Sequence, residues 1–184
     1  MGDVFEVLKS DHEEVKAMLV RLETWPAGSL AERKKLTEQM IIEESRHEAL
    51  EEQYFWPAVR EQGPEGAQVA DKAISQEQEA KQVLAELDKL DPSNADFERL
   101  LTSFIAAARE HIAFEEDRAW PILRMGISPD QATELGEKIA KGKAAAPTRP
   151  HPHTPPHEGV LKAAGPVAAA ADKLRDAVTG RGQD

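Results

Sequence analysis

Two stretches of the chain carry one pattern, His-x-x-x-Glu-Glu-x-x-x-Trp-Pro, starting at His47 and again at His111. HEALEEQYFWPAVR (residues 47–60) and HIAFEEDRAWPILR (residues 111–124) agree in His, both Glu, Trp, Pro and the final Arg. The match extends upstream with one residue more of offset. There His12-Glu-Glu-Val-Lys-Ala-Met-Leu-Val-Arg-Leu22 aligns with Glu77-Gln-Glu-Ala-Lys-Gln-Val-Leu-Ala-Glu-Leu87. A chain built this way is two related helix pairs, and the alignment sets Glu77 where the first copy has His12.

The punctuation agrees with that reading. Turn-forming clusters occur at Pro26-Ala-Gly28-Ser29, Gly63-Pro-Glu-Gly66 and Asp91-Pro-Ser-Asn94, and they cut the first 125 residues into four helix-length segments. Asp3, Ser29 and Asn94 are N-cap candidates at three of the starts. No two-residue apolar alternation argues for strands. Short loops favour antiparallel neighbours, so the expectation is an all-α, up-down four-helix bundle over residues 1–125. Apolar residues recur at helical spacing in each segment: Phe5, Leu8, Val15, Leu19, Leu22; Leu36, Met40, Leu50; Ala73, Ala80, Leu84, Leu87; Phe97, Leu101, Phe104, Ala108. His12, His47, Tyr54, Glu77, His111 and Arg118 fall in the same registers, so every helix aims ionisable residues at the core.

Ser128-Pro129-Asp130 opens a short fifth helix, giving an appended segment over residues 126–143. Residues 144–184 form a Pro/His/Ala-rich tail. Its part from Ala144 to Gly159 is expected to be extended or disordered. Val167, Ala171, Leu174 and Val178 space a terminal helix able to dock on the bundle or on a partner.

Lys and Arg number 23 against 34 Asp and Glu, a formal charge of -11, which disfavours nucleic acid and anionic membrane as partners. The absence of cysteine excludes disulfides, thiolate metal sites and cysteine nucleophiles. The N-terminus lacks the basic start and apolar run of a secretory signal, and no window approaches the roughly 18 apolar residues of a membrane span. The expectation is a soluble cytoplasmic protein.

His and Glu four residues apart share one helical face, about 6 Å apart along the axis. His47 with Glu51, and His111 with Glu115, can each aim two donor atoms at one spot, and His12 and Glu77 add one from each remaining helix. A lone core histidine is usually just hydrogen-bonded. An unpaired buried carboxylate costs several kcal/mol, however, and three of them need a compensating cation that two metal ions would supply. One HxxxE pair is a weak signal; two copies in matched context with His12 and Glu77 are a strong one. Glu52 and Glu116 are assigned to a neighbouring flank, in solvation or in support of the ligands. Trp56-Pro57 and Trp120-Pro121 are read as packing and helix-bending features. His151, His153 and His157 could scavenge a surface metal, although a spacer is the better reading.

On His12, His47-x-x-x-Glu51 and His111-x-x-x-Glu115, the first 125 residues resemble the hemerythrin family's cation-binding HHE domain. The resemblance implies a cofactor of two iron ions, an oxo- or hydroxo-bridged pair. It further implies Glu51 and Glu115 as bridging carboxylates and His47 and His111 as terminal ligands. The family's third helix normally supplies histidine, but no His lies between positions 48 and 110, and the aligned residue is Glu77. Reversible O2 carriers in the family hold five histidines and two carboxylates. Three His and three Glu favour the harder ferric state. The expected chemistry therefore shifts to catalase-like disproportionation of H2O2, ferroxidation, or both, with reversible O2 binding, NO sensing or iron storage as the non-enzymatic alternative. Manganese or mixed sites use similar ligands. Tyr54, the sole tyrosine, stands one turn beyond Glu51 and is the catalytic candidate: a phenol there could ligate ferric iron or hydrogen-bond peroxide. Packing, with its hydroxyl at the bundle end, has equal standing.

Overall fold

A computed structural model describes residues 2–26, 28–154 and 158–181, the stretch 158–164 by its backbone. The helices are α1 (Val4–Glu23), α2 (Leu30–Leu50), α3 (Trp56–Arg60), α4 (Pro64–Leu87), α5 (Ala95–Phe114), α6 (Trp120–Gly126), α7 (Pro129–Gly142) and α8 (Glu158–Thr179). Four rods make the bundle, because α2 runs into α3 and α5 into α6 without a break in the helical path. No strand occurs among the described residues.

The expected caps form. Asp3 accepts from Glu6 N at 2.9 Å while Glu6 reaches back to Asp3 N, a reciprocal capping box. Ser29 accepts from Glu32 N, and Asn94 from Asp96 N. Ser128 repeats the box with Gln131 at the head of α7, where Pro129 occupies the first turn. At the start of α4, Gly63 takes φ 93°, a left-handed turn that glycine enters without steric cost, and Pro64 then sets the first helical φ.

Each joint within a rod, between α2 and α3 and between α5 and α6, is one wide helical turn, Glu51–Phe55 and Glu115–Ala119. Pro57 and Pro121 cause it: each lacks an N–H, and its ring crowds the carbonyl four residues back. The preceding Trp56 N–H reaches five residues back to Glu51 O, and Trp120 N–H to Glu115 O. One extra residue per turn rotates the downstream side chains by about 100°. That rotation corrects one expectation. Arg118 does not reach the core but is exposed, and its successor Ala119 is buried instead; likewise Tyr54 is half-buried and Phe55 fully buried.

Two apolar clusters fill the bundle. One gathers Phe5, Leu8, Phe55, Trp56, Val69, Ala73, Trp120 and Ile139; the other gathers Val15, Leu19, Met40, Leu84, Phe97 and Phe104. Along every rod the ionisable residues fall between them: His12 between Leu8 and Val15, Glu77 between Ala73 and Ala80. The site is a polar layer between two apolar halves.

Hydrogen bonds to α8 hold the described Pro-rich part of the tail. Thr148 N and Arg149 N both donate to Asp172 Oδ2, at 3.1 and 3.2 Å, and His151 Nε2 lies 2.9 Å from the same oxygen. Arg149 bridges Asp88 and Asp176, and Arg181 also binds Asp88. Residues 144–154 are thereby clasped between bundle and α8; residues 155–157, His157 among them, lie outside the described residues. The terminal helix forms but docks through Asp172 and Ala169, whereas Val167, Ala171, Leu174 and Val178 are exposed. Charged partners set its orientation, which apolar spacing alone did not reveal. Among the described residues no helix is long and apolar enough to cross a membrane.

Helix α7 lies on α1 by backbone contact at Gly136, where an added Cβ would come within 2.6 Å of the Asp3 carbonyl carbon. Gly136→Ala is expected to lower stability by about 1–3 kcal/mol through this overlap, read as a lower denaturant midpoint. An unchanged midpoint would show that α7 does not pack there.

Candidate metal centre

All six predicted donors converge. His12, His47, Glu51 and Glu115 form one group, and Glu51, Glu77 and His111 a second, with ligand atoms in each group within 4.8 Å of one another. His12 Nε2 stands 3.0 Å from Glu115 Oε2 and His47 Nε2 3.2 Å from Glu51 Oε2. His111 Nε2 faces Glu77 Oε1 at 3.7 Å and Glu51 Oε2 at 4.0 Å. Glu51 and Glu115 are fully buried. Glu51 is common to both groups, whereas Glu115 belongs to the first only.

Whether a metal pair fits can be judged from atoms that lack a partner. Apart from these close His–Glu approaches, His12 Nε2, His47 Nε2, both oxygens of Glu51, Glu77 Oε2, His111 Nε2 and Glu115 Oε2 are buried without a hydrogen-bond partner among the described residues. Buried polar atoms are nearly always satisfied, so donors left open on six side chains facing one space form a site that fits divalent cations. The electrostatics agree. Burial and the neighbouring Glu51 charge push the Glu77 and Glu115 carboxyls upward. Burial acts the same way on Glu51, but His47 and His111 override it and hold that carboxyl far below the usual range.

Neighbouring residues orient the candidate donors. His12 Nδ1 lies 2.8 Å from Glu116 Oε1, which also accepts from Lys16 at 2.9 Å. His111 Nδ1 lies 3.3 Å from Gln76 Oε1, and His47 Nδ1 faces Asp11 at 3.7 Å. These contacts obey the internal repeat: Asp11 aligns with Gln76, one position before His12 and Glu77. Glu52 aligns with Glu116 and is ion-paired at 2.6 Å with Lys81, the counterpart of Lys16. Reading the alignment one residue further upstream is the signal that would have found Asp11 and Gln76.

The tryptophans do more than pack. Trp120 Nε1 donates to Glu115 Oε1 at 2.6 Å, and Trp56 Nε1 donates to Glu77 Oε1. Trp120 stacks on His12 at 5.5 Å with ring planes 9° apart, and a histidine there offers no carboxylate to accept the indole proton. Its N–H turns to Glu115 instead. In the other copy Glu77 accepts, and Glu51 keeps both oxygens open. The His12/Glu77 difference is therefore what makes the two halves of the site unequal.

Tyr54 stays apart from this cluster. Its hydroxyl accepts from Gln53 Nε2 at 2.9 Å, and it lines a different cavity with Leu50, Gly142, Pro147 and Pro166, a wall that includes none of the six donors. Sequence reasoning also missed buried Glu44, Glu48 and Lys81. A cavity of about 230 Å³ opens onto the centre, lined by His12, His47 and His111 together with Glu44 and Glu48.

A family model for the hemerythrin HHE cation binding domain matches residues 3–123. The chain belongs to the hemerythrin HHE family. It is 26% identical over 170 residues to an uncharacterized hemerythrin-like protein of Schizosaccharomyces pombe, covering 92% of this chain and 79% of that one. It is also similar to the crystal structure of a hemerythrin HHE cation binding domain-containing protein from Mycobacterium kansasii. That likeness has a TM-score of 0.66 and 25% identity, and it covers 78% of this chain and 86% of the other. The His/Glu cluster of this HHE domain thus lies in a family whose domain binds cations.

Trp56→Phe and Trp120→Phe remove one hydrogen bond each to a donor carboxylate while keeping an aromatic ring. Each is expected to weaken metal binding by about 10–100-fold with an unchanged circular dichroism spectrum, as titration with a competing chelator will show. Wild-type affinity in both would refute the supporting role.

Proposed function

We propose that the six donors hold two iron ions and that the protein consumes peroxide, two molecules of H2O2 becoming two of water and one of O2. The observation that carries this reading is Glu77, buried among the donors where the first copy has His12. With Glu51 and Glu115 it raises the anionic oxygen count to three beside three histidines, a set that favours ferric over ferrous iron. Iron, when bound, supplies two redox-active centres that exchange electrons with peroxide.

The chain's own residues have distinct tasks. His12, His47 and His111 hold the metal side of the cavity, their outer nitrogens turned to Glu116, Asp11 and Gln76. Trp56 and Trp120 fix one oxygen each of Glu77 and Glu115, so those carboxylates keep a single free donor. Glu51, free of such bonds and common to both donor groups, is the carboxylate that would serve both ions. The cavity beside the histidines has room for a small neutral molecule such as H2O2 or O2. Ferroxidation of Fe2+ is a related activity of the same residues.

Iron-loaded protein is expected to evolve O2 from H2O2 at an oxygen electrode, and Glu77→His to evolve it roughly tenfold or more slowly. No O2 from the wild-type protein, or ferrous protein that takes up O2 and returns it intact under vacuum, would favour a carrier and overturn the proposal. So would Glu77→His with an undiminished rate.

A further inference from the structure

Glu44 and Glu48 are buried, at 7% and 2% exposure, and neither is among the metal-donor groups. They stand one turn apart on α2, three residues behind His47 and Glu51, so the two pairs form one stripe offset by about 4.5 Å along the helix. Both line the cavity of about 230 Å³ that reaches His12, His47 and His111. Glu79 on α4 and Glu110 on α5, both exposed, line it as well. Among the described residues its wall thus carries four carboxylates and three imidazoles and no Lys or Arg. The nearby ammonium of Lys81 is engaged by Glu52 at 2.6 Å.

Two further observations separate this pair from an ordinary acidic surface. Glu48 Oε2 is buried without a hydrogen-bond partner among the described residues. The internal repeat also sets Ala108 and Ile112 opposite Glu44 and Glu48, both buried. Apolar residues therefore suit these positions in the second copy, and the bundle does not require carboxylates there. Burying a carboxylate without a partner is costly, and a cation passing through the cavity supplies one.

We propose that Glu44 and Glu48 form a capture site for divalent metal ions, through which the cavity delivers iron to the centre. This rests on the reading of the six donors as a metal site and adds how that site is filled. Exposed Glu79 and Glu110 draw the cation to the mouth, and Glu44 and Glu48 hold it after it sheds water. His47, on the same stripe of α2, receives it. A cleft lined by one sign of charge raises capture rates by about 10–1000-fold and makes them steeply dependent on salt.

The test is stopped-flow uptake of Co2+ by metal-free protein, followed by Co2+ absorbance. It compares the wild type with Glu44→Ala/Glu48→Ile, which installs the residues the second copy already carries. Uptake by the variant is expected to slow by about tenfold or more, with a flattened ionic-strength dependence and wild-type occupancy at saturation. Wild-type rate and salt dependence in the variant would overturn the proposal. So would a loss of final occupancy, since the pair would then belong to the centre itself. Glu48→Gln, nearly isosteric, covers the case in which the double variant fails to fold: it too must slow uptake, and an unchanged rate overturns the proposal. If wild-type protein takes up neither Co2+ nor Fe2+, the metal-centre reading falls and this one with it.

Discussion

Three carboxylates at the middle of a helical bundle repel one another in a medium that stabilises no lone charge. Burial lifts the carboxyls of Glu77 and Glu115, and the Glu51 charge lifts them further. An unpaired buried ion costs several kcal/mol, a sizeable part of the roughly 5–15 kcal/mol by which domains are stable. The protein meets the cost in two ways. Histidines stand against the carboxylates, with His47 at 3.2 Å from Glu51 and His12 at 3.0 Å from Glu115. The remaining open donors match the requirements of divalent cations, which couples metal binding to stability. The apolar clusters above and below the layer let the bundle fold around a centre that is unfavourable alone.

The Trp-Pro dipeptide links backbone to chemistry. Proline forces one wide turn, and that turn begins at a candidate donor carboxylate in each copy, Glu51 and Glu115. The same turn brings the neighbouring indole to a donor carboxylate. Duplication would make the two halves alike, but one substitution between copies, His12 for Glu77, redirects a single indole proton. Glu115 is then tied at one oxygen while Glu51 stays open at both.

Much of this was legible in the sequence because periodicity and the internal repeat both survive in the residues. The four rods, the caps at Asp3, Ser29, Asn94 and Ser128, and the convergence of the six donors were all read from spacing. The wide turns were not, since spacing rules assume a uniform helix. Extrapolating through Glu115–Ala119 therefore assigned Arg118 to the core, where Ala119 lies. Glu44, Glu48 and Lys81 were missed because charged residues are ordinarily assigned to solvent. Comparison with Ala108 and Ile112 in the other copy would have marked the first two as buried. The docking face of α8 depends on Asp172 and Asp176 meeting Thr148 and Arg149, a pairing distant in sequence that composition does not encode.

The central claim is a two-metal site organised around Glu51. It is tested most directly by counting iron per chain after anaerobic loading with Fe2+ and removal of the excess. The account predicts two irons in the wild type and, in Glu51→Ala, the loss of at least one. A wild-type content of one iron or none, or a Glu51→Ala variant that still holds two, would contradict it.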